Sequence, residues 1–223
     1  MDDWKRAEVE KQDRMIAERG GDYLVVSDAG YRAIGRSLPV KGRVLDLGCG
    51  TGPFAKWLGQ SHACEIVGLD LSFKSLAIAR DVLAHPVVGD AVHLPFADAS
   101  FDTVLCGFTL HHVLPEITGV LEECARVLRQ AGCICLAEEC MDSPMANKHS
   151  EDHERPLHKA ELHAWFSDLG FDLRLWPVRH RFFITPGVPL YRLRTLANRV
   201  LACLFPYLVA GVARRASRDA ERP

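Results

Sequence analysis

Three glycines and a carboxylate near residue 46 form the part of this sequence best suited to binding a ligand. Asp46 lies at the end of a hydrophobic run, and glycines follow at 48, 50 and 52. Glycine permits backbone angles that other residues avoid and leaves room for a ligand against the main chain. Pro53 stands where the dinucleotide fingerprint requires glycine or alanine. Because a carboxylate repels a pyrophosphate and attracts a cation, the pattern favours a cationic nucleoside such as S-adenosylmethionine.

A second acid, Asp70, ends the next hydrophobic run, and Leu71 follows it. An acid at the end of the second strand of a nucleotide-binding fold accepts hydrogen bonds from the ribose hydroxyls. The alternative is that Asp70 caps the helix that follows. Ser72 already supplies such a cap, so the sequence favours the ribose role for Asp70.

The segment from Val44 to Phe171 resembles the class I S-adenosylmethionine-dependent methyltransferases. The resemblance rests on an ordered set of motifs: Val44-Leu45-Asp46-Leu47-Gly48-Cys49-Gly50-Thr51-Gly52, Asp70, Asp90-Ala91, Leu94-Pro95-Phe96 and Ser100-Phe101-Asp102. It implies a Rossmann-like, doubly wound and mostly parallel sheet of seven strands. It also implies S-adenosylmethionine as the co-substrate.

The resemblance assigns roles to individual residues around the cofactor. Asp46 and the turn at Gly48 and Gly50 would hold the ammonium of the methionine part. Asp90 would accept a hydrogen bond from the adenine amino group, and the backbone N–H of Ala91 would meet the ring. A carbonyl near Phe108 would accept from the ammonium, although Phe108 could equally be a core residue.

Two adjacent histidines, His111 and His112, follow the predicted fourth strand. Histidine is suited to general base catalysis because its pKa lies near neutrality. Methyl transfer from a sulfonium requires mainly alignment of the acceptor, with a base where the nucleophile carries a proton. Either histidine could instead be a packed, hydrogen-bonded residue, and Glu138 or Glu139 at the end of the fifth strand could face the acceptor.

Two other clusters carry weaker signals. His149 and His153 have the i, i+4 spacing of a metal pair, but nearby prolines favour an exposed loop, and we predict no metal site. Cysteines at 133, 135 and 140 would suit a thiol-affine acceptor such as arsenic, whereas packing is their commoner role. The dispersed cysteines and the charged first twenty residues favour a reducing, cytoplasmic setting.

Alternating strand and helix patterns predict three regions along the chain. Residues 1–40 are predicted as N-terminal lid helices, 41–186 as the S-adenosylmethionine-binding domain, and 187–223 as a C-terminal helical extension. Two strands, over 171–178 and 181–184, are predicted to complete the sheet.

Charge and hydropathy distinguish the C-terminal part of the chain from the rest. Residues 1–170 contain 17 basic and 26 acidic residues, whereas 171–223 contain 10 and 3. An apolar run over 200–213 is flanked by arginines, which is typical of an interfacial anchor. We therefore consider peripheral membrane contact through 192–218. The alternatives are that this segment packs over the acceptor pocket or forms a homodimer contact.

The sequence as a whole predicts methyl transfer from S-adenosylmethionine to a small, hydrophobic or lipid-like acceptor. The acidic body and the absence of an Asn/Asp-Pro-Pro-Tyr/Phe motif disfavour nucleic acid as the substrate. The alternative function is a non-catalytic S-adenosylmethionine-binding or regulatory protein with the same fold.

Overall fold

The fold is a single seven-stranded sheet flanked by helices. The structure is a computed structural model that describes residues 1–19, 28–61, 63–139, 142, 155, 157–178 and 208–216. The strands within these ranges are β1 (Gly42–Leu47), β2 (Cys64–Asp70), β3 (His85–Val88), β4 (Phe101–Gly107), β5 (Leu128–Glu139), β6 (Phe171–Pro177) and β7 (Leu208–Arg215). Their order in the sheet is β3-β2-β1-β4-β5-β7-β6. Strands β1 to β5 are parallel, and β7 is antiparallel to both β5 and β6.

Helices cover both faces of this sheet. The described helices are α1 (Asp3–Arg19), α2 (Asp28–Ser37), α3 (Pro53–Ser61), α4 (Phe73–Ala79), α5 (Ile117–Val127) and α6 (Lys159–Asp168), with short 3-10 turns at Leu110–His112 and Leu114–Glu116. Leu121 of α5 and Phe166 of α6 pack in one core cluster, and Ile34, Phe54 and Leu76 of α2, α3 and α4 pack in another. The predicted Rossmann-like fold class is confirmed.

The central strand β1 explains where a ligand must bind. Its residues Val44, Leu45 and Leu47 have no exposed surface, as expected of a parallel strand buried on both faces. From β1 the chain proceeds outward to β2 and β3 and then crosses to β4 on the other side of β1. Ligands bind where the strand order reverses in this way, so the crevice lies beyond the carboxyl ends of β1 and β4.

The glycine turn after β1 has the backbone that the sequence predicts. Gly48, Gly50 and Gly52 all have positive φ, at 64°, 53° and 82°. A Cβ on Gly48 would lie 2.6 Å from Cγ2 of Thr109, so this position also allows the loop after β4 to approach closely. Pro53 then begins α3, where its missing N–H costs no hydrogen bond.

The C-terminal segment differs from its prediction. We predicted a helix over 200–213, but residues 208–215 form β7 between β5 and β6. An apolar run fits a strand buried on both faces as well as it fits a helix, and Val209, Ala210 and Ala213 are at most 1% exposed. The sheet therefore extends beyond residue 186, where the sequence placed the end of the cofactor-binding domain.

This correction also weakens the membrane hypothesis. Residues 209–213 are buried in the sheet, so this part of the predicted anchor over 192–218 is not available to a lipid surface. The rest of that segment up to 207, and the strand predicted over 181–184, lie outside the described residues. No helix in the described ranges combines the length and hydropathy needed to cross a bilayer.

Candidate active site

A cavity of about 360 Å³ opens at the carboxyl edge of the sheet. It lies where the strand order reverses, and α1 forms its outer wall. All of the site residues that the sequence predicted line this one cavity: Asp46, Gly48, Gly50, Asp70, Leu71, Asp90, Ala91, Phe108, His111 and His112. The structure thus brings together residues that are up to 66 positions apart in the sequence, from 46 to 112.

The floor of the cavity holds two buried carboxylates. Asp46 is 2% exposed and Asp70 is 6% exposed. Burial, with the neighbouring charge of Asp70, raises the pKa of Asp46 to about 8. The Oδ2 atom of Asp46 has no hydrogen-bond partner among the described residues. A buried, unpartnered carboxylate beside a second acid is suited to a cationic ligand, and this feature fits the ammonium of S-adenosylmethionine.

Asp70 orients the glycine turn as well as facing the cavity. Its Oδ2 accepts from the backbone N–H of Gly50 at 2.8 Å, and its Oδ1 accepts from that of Ser72 at 2.8 Å. Burial raises the pKa of Asp70, while these two N–H groups act in the opposite direction. The hydroxyl of Ser72 caps α4 by accepting from Ser75, so Asp70 is not the cap. Its carboxylate has lone pairs for ribose hydroxyls.

Helix α1 contacts the acid after β3. Asp90 accepts from the backbone N–H of Val92 at 3.2 Å and from Nζ of Lys5 at 2.7 Å. Lys5 also pairs with Glu116 at 2.5 Å, and its side chain is only 5% exposed. Burial acts to lower the pKa of Lys5, but its hydrogen bonds with Asp90 and Glu116 raise it overall. A cation from α1 therefore already lies beside the acid predicted to recognise adenine.

Further ionic contacts hold α1 over the cavity. Oε1 of Glu8 lies 3.2 Å from Nδ1 of His112, and Asp13 accepts from the hydroxyl of Ser72 at 2.8 Å. Burial acts to raise the pKa of Glu8, but contacts including His112 and Lys11 lower it to about 2. Neither Lys5 nor Glu8 was among the residues predicted to line the site. They lie three residues apart on one helix face, a spacing that charged residues of solvated helices also have.

The loop after β4 presents both histidines to the cavity. Phe108 has a φ of 58°, a conformation that is strained for a residue with a bulky side chain. The hydroxyl of Thr109 donates to the carbonyl of Leu47 at 2.8 Å and ties this loop to the end of β1. The rings of His111 and His112 have centroids 4.1 Å apart. Nδ1 of His111 lies 2.6 Å from Oε2 of Glu138, a fully buried acid of β5.

The other sequence signals do not converge on this cavity. The Sγ atoms of Cys133 and Cys135 lie 3.9 Å apart in the sheet, and neither residue lines the cavity. Their position gives no support to a thiol-affine acceptor, and Cys140 lies outside the described residues. His149 and His153 also lie outside them. Across the described ranges, no group of three or more His, Cys, Asp or Glu residues could hold a metal ion.

The strand order, the glycine turn and the acids at the ends of β1, β2 and β3 match those expected from the resemblance to the class I S-adenosylmethionine-dependent methyltransferases. Comparison with known proteins agrees with this class. Residues 45–136 match the family model described as "Methyltransferase domain". The matched range includes the glycine turn, both histidines and most of β5.

Named relatives share this region. The chain is 33% identical over 152 residues to the O-methyltransferase cnsE of Penicillium expansum, covering 61% of this chain and 55% of that protein. It is 41% identical over 99 residues to a demethylmenaquinone methyltransferase of Thermotoga maritima, covering 43% of each. The chain thus spans about half the length of the curated relatives it matches.

Solved structures extend the fold match to nearly the whole chain. A chain of the complex between the Haloferax volcanii Trm112 methyltransferase activator and a methyltransferase superposes with a TM-score of 0.71 at 21% identity, covering 97% of both chains. An S-adenosylmethionine-dependent methyltransferase from Thermotoga maritima gives 0.66 at 20% identity, covering 94% of this chain and 97% of that one. At these identities the likeness concerns the fold.

Proposed function

We propose that this protein transfers a methyl group from S-adenosylmethionine to a hydroxyl of a small, apolar acceptor. The observation that carries the proposal is the shared cavity, which is lined both by the acids suited to the cofactor and by two histidines. The relatives named as an O-methyltransferase and as a demethylmenaquinone methyltransferase support a small-molecule acceptor. The finer choice of a hydroxyl rests on the histidines, since a base is useful where the nucleophile carries a proton.

Four residues are proposed to hold the cofactor. Asp46 attracts the ammonium, Asp70 accepts from the ribose hydroxyls, and Asp90 with the N–H of Ala91 recognises adenine. S-adenosylmethionine supplies an activated methyl on a positively charged sulfur. The protein therefore has to position the acceptor and exclude water, and such alignment contributes on the order of 7 kcal/mol or more.

Helix α1 is proposed to act as a lid and as the apolar wall of the acceptor site. Trp4, Val9 and Met15 of α1 line the cavity, and the chain elsewhere adds Val113 and Phe108. The ion pairs of α1 are concentrated on the loops that follow β2, β3 and β4. Breaking them opens the cavity without unfolding the sheet, because α1 adds no strand to it.

A two-stage experiment tests the function. Calorimetry with S-adenosylmethionine and S-adenosylhomocysteine measures binding, and we expect both to bind. Transfer of labelled methyl to naphthols and hydroquinones then measures catalysis. Binding without a methylated product across this panel would favour the non-catalytic alternative, whereas failure of both ligands to bind would contradict the central proposal.

Substitution of a histidine tests the base. We expect His111→Ala to lower kcat by roughly a hundredfold or more with unchanged affinity for the cofactor. His163→Ala, at an exposed position of α6, is the matched control and should retain full activity. Wild-type turnover in His111→Ala would remove that residue from catalysis.

A further inference from the structure

Glu138 is the most deeply buried acid near the cavity, with no exposed surface. Its Oε1 accepts from the backbone N–H groups of Thr109 at 3.0 Å and Leu110 at 2.8 Å. Its Oε2 lies 2.6 Å from Nδ1 of His111. One carboxylate thus receives three hydrogen bonds from one loop. Burying an acid is costly unless it is well paired, so a carboxylate at this position indicates a specific role.

Holding the loop does not by itself require an acid. The carbonyl oxygen of a glutamine could accept the same two N–H groups, since a single oxygen, Oε1, receives both. Among the described residues, the second oxygen, Oε2, contacts only His111. A carboxylate there can only accept, which requires the proton of a neutral imidazole to be on Nδ1. The other ring nitrogen, Nε2, is then the basic one.

We propose that Glu138 is the positioning residue that selects His111, rather than His112, as the general base. It fixes the ring with the Nδ1 proton facing the sheet and the lone pair on Nε2. The two histidines thereby differ, because His112 contacts Glu8 on the lid helix at 3.2 Å, whereas His111 contacts Glu138, which is part of the sheet. This inference rests on the proposed methyl transfer and identifies its acceptor class as compounds with a hydroxyl proton to lose.

The hydroxyl proton moves to Nε2 of His111 while the oxygen forms its bond to the methyl carbon. The bond between that carbon and sulfur breaks, and its electron pair stays on sulfur, which becomes neutral. The imidazolium that results faces the Glu138 carboxylate, which stabilises its charge. Its proton then leaves to solvent.

Glu138→Gln is a discriminating variant because it retains the hydrogen bonds of the loop. The amide oxygen can accept from Thr109 and Leu110, while the amide N–H donates to Nδ1 of His111 and moves the ring proton to Nε2. We expect kcat for a naphthol acceptor to fall at least a hundredfold, with KM and cofactor affinity within twofold of wild type. Glu122→Gln, at an exposed position of α5, is the control.

Nitrogen NMR of the histidine rings gives a readout that a purely structural role would not change. We expect the Nδ1–H tautomer for neutral His111 in the wild type and the Nε2–H tautomer in Glu138→Gln. The wild-type spectrum tests the inference even if the variant does not fold. An Nε2–H tautomer in the wild type, or full turnover in a folded Glu138→Gln protein, would overturn it. Absence of methyl transfer by the wild type would instead contradict the proposed function, while the tautomer still reports on Glu138.

Discussion

Cofactor affinity should depend on the protonation of Asp46. Burial and the charge of Asp70 raise the pKa of Asp46 to about 8, so in the ligand-free protein this acid is mostly protonated at pH 7. A bound ammonium favours the ionised carboxylate and lowers its pKa in the complex. Binding must then release a proton, and affinity should rise with pH below 8.

The size of the change in affinity with pH follows from the pKa of Asp46. About one molecule in a hundred has ionised Asp46 at pH 6 and about one in ten at pH 7. Affinity for S-adenosylhomocysteine should therefore increase about tenfold between these pH values, equivalent to ~1.4 kcal/mol. The range stays below the pKa of an α-amino group, ~7.7–8.0, so the ligand keeps its own charge.

Calorimetry in buffers of different ionisation enthalpy measures both the affinity and the proton released. Asp46→Asn mimics the protonated acid, so we expect it to bind at pH 7 at least as weakly as the wild type does at pH 6. Burial also raises the pKa of Asp70 in the same site, and the difference between wild type and Asp46→Asn isolates the part due to Asp46. Equal pH slopes in the two proteins, or wild-type affinity in Asp46→Asn at pH 7.5, would refute the reasoning.

The raised pKa of Asp46 also makes the free energy of unfolding depend on pH. The pKa of Asp46 in the folded protein is raised from an ordinary value of 3.8. Its stabilising contribution is therefore complete below pH ~4 and is lost as pH rises through 8. Thermal stabilisation by a cationic ligand should be larger at pH 8 than at pH 6, which differential scanning fluorimetry measures.

Three further substitutions address the turn, the lid and the last strand. Gly48→Ala places a side chain at φ 64°, which should lower the free energy of unfolding by ~1–2 kcal/mol or more and weaken cofactor binding. Gly59→Ala has open space around it and should not lower the melting temperature. Lys5→Met removes the cation between Asp90 and Glu116, so hydrogen exchange in α1 and dissociation of the cofactor should both become faster. Arg6→Met, at an exposed position, should change neither rate. Val209→Asp buries a charge in β7 and should abolish the cooperative thermal transition; a folded variant with a wild-type melting temperature would show that β7 is dispensable.

Local patterns were sufficient for the central half of the chain. The hydrophobic run predicted β1 and the glycines predicted the turn after it, and all three glycines have the positive φ expected. The acids at strand ends meet in one cavity because parallel strands end at the same edge of the sheet. These features depend on residues close in sequence, or on the single rule that parallel strands align.

Long-range pairing could not be predicted in the same way. The run over 208–215 is apolar throughout, and nothing local distinguishes a strand buried on both faces from a helix. Glu138 and Glu139 are adjacent acids, and only the register of β5 shows that Glu138 is the one that reaches His111. Lys5 and Glu8 resemble any charged pair on a solvated helix until the packing of α1 is known.

The position of β7 determines when this protein can finish folding. β6 precedes β7 in the chain, yet β7 lies between β5 and β6 in the sheet. During synthesis, β6 therefore has no neighbour among the described strands until residues 208–215 leave the ribosome, and the edge of β5 that pairs with β7 stays open for the same interval. Unpaired strand edges are prone to aggregation, so nascent chains stalled before residue 208 should depend on chaperones more than chains that include β7.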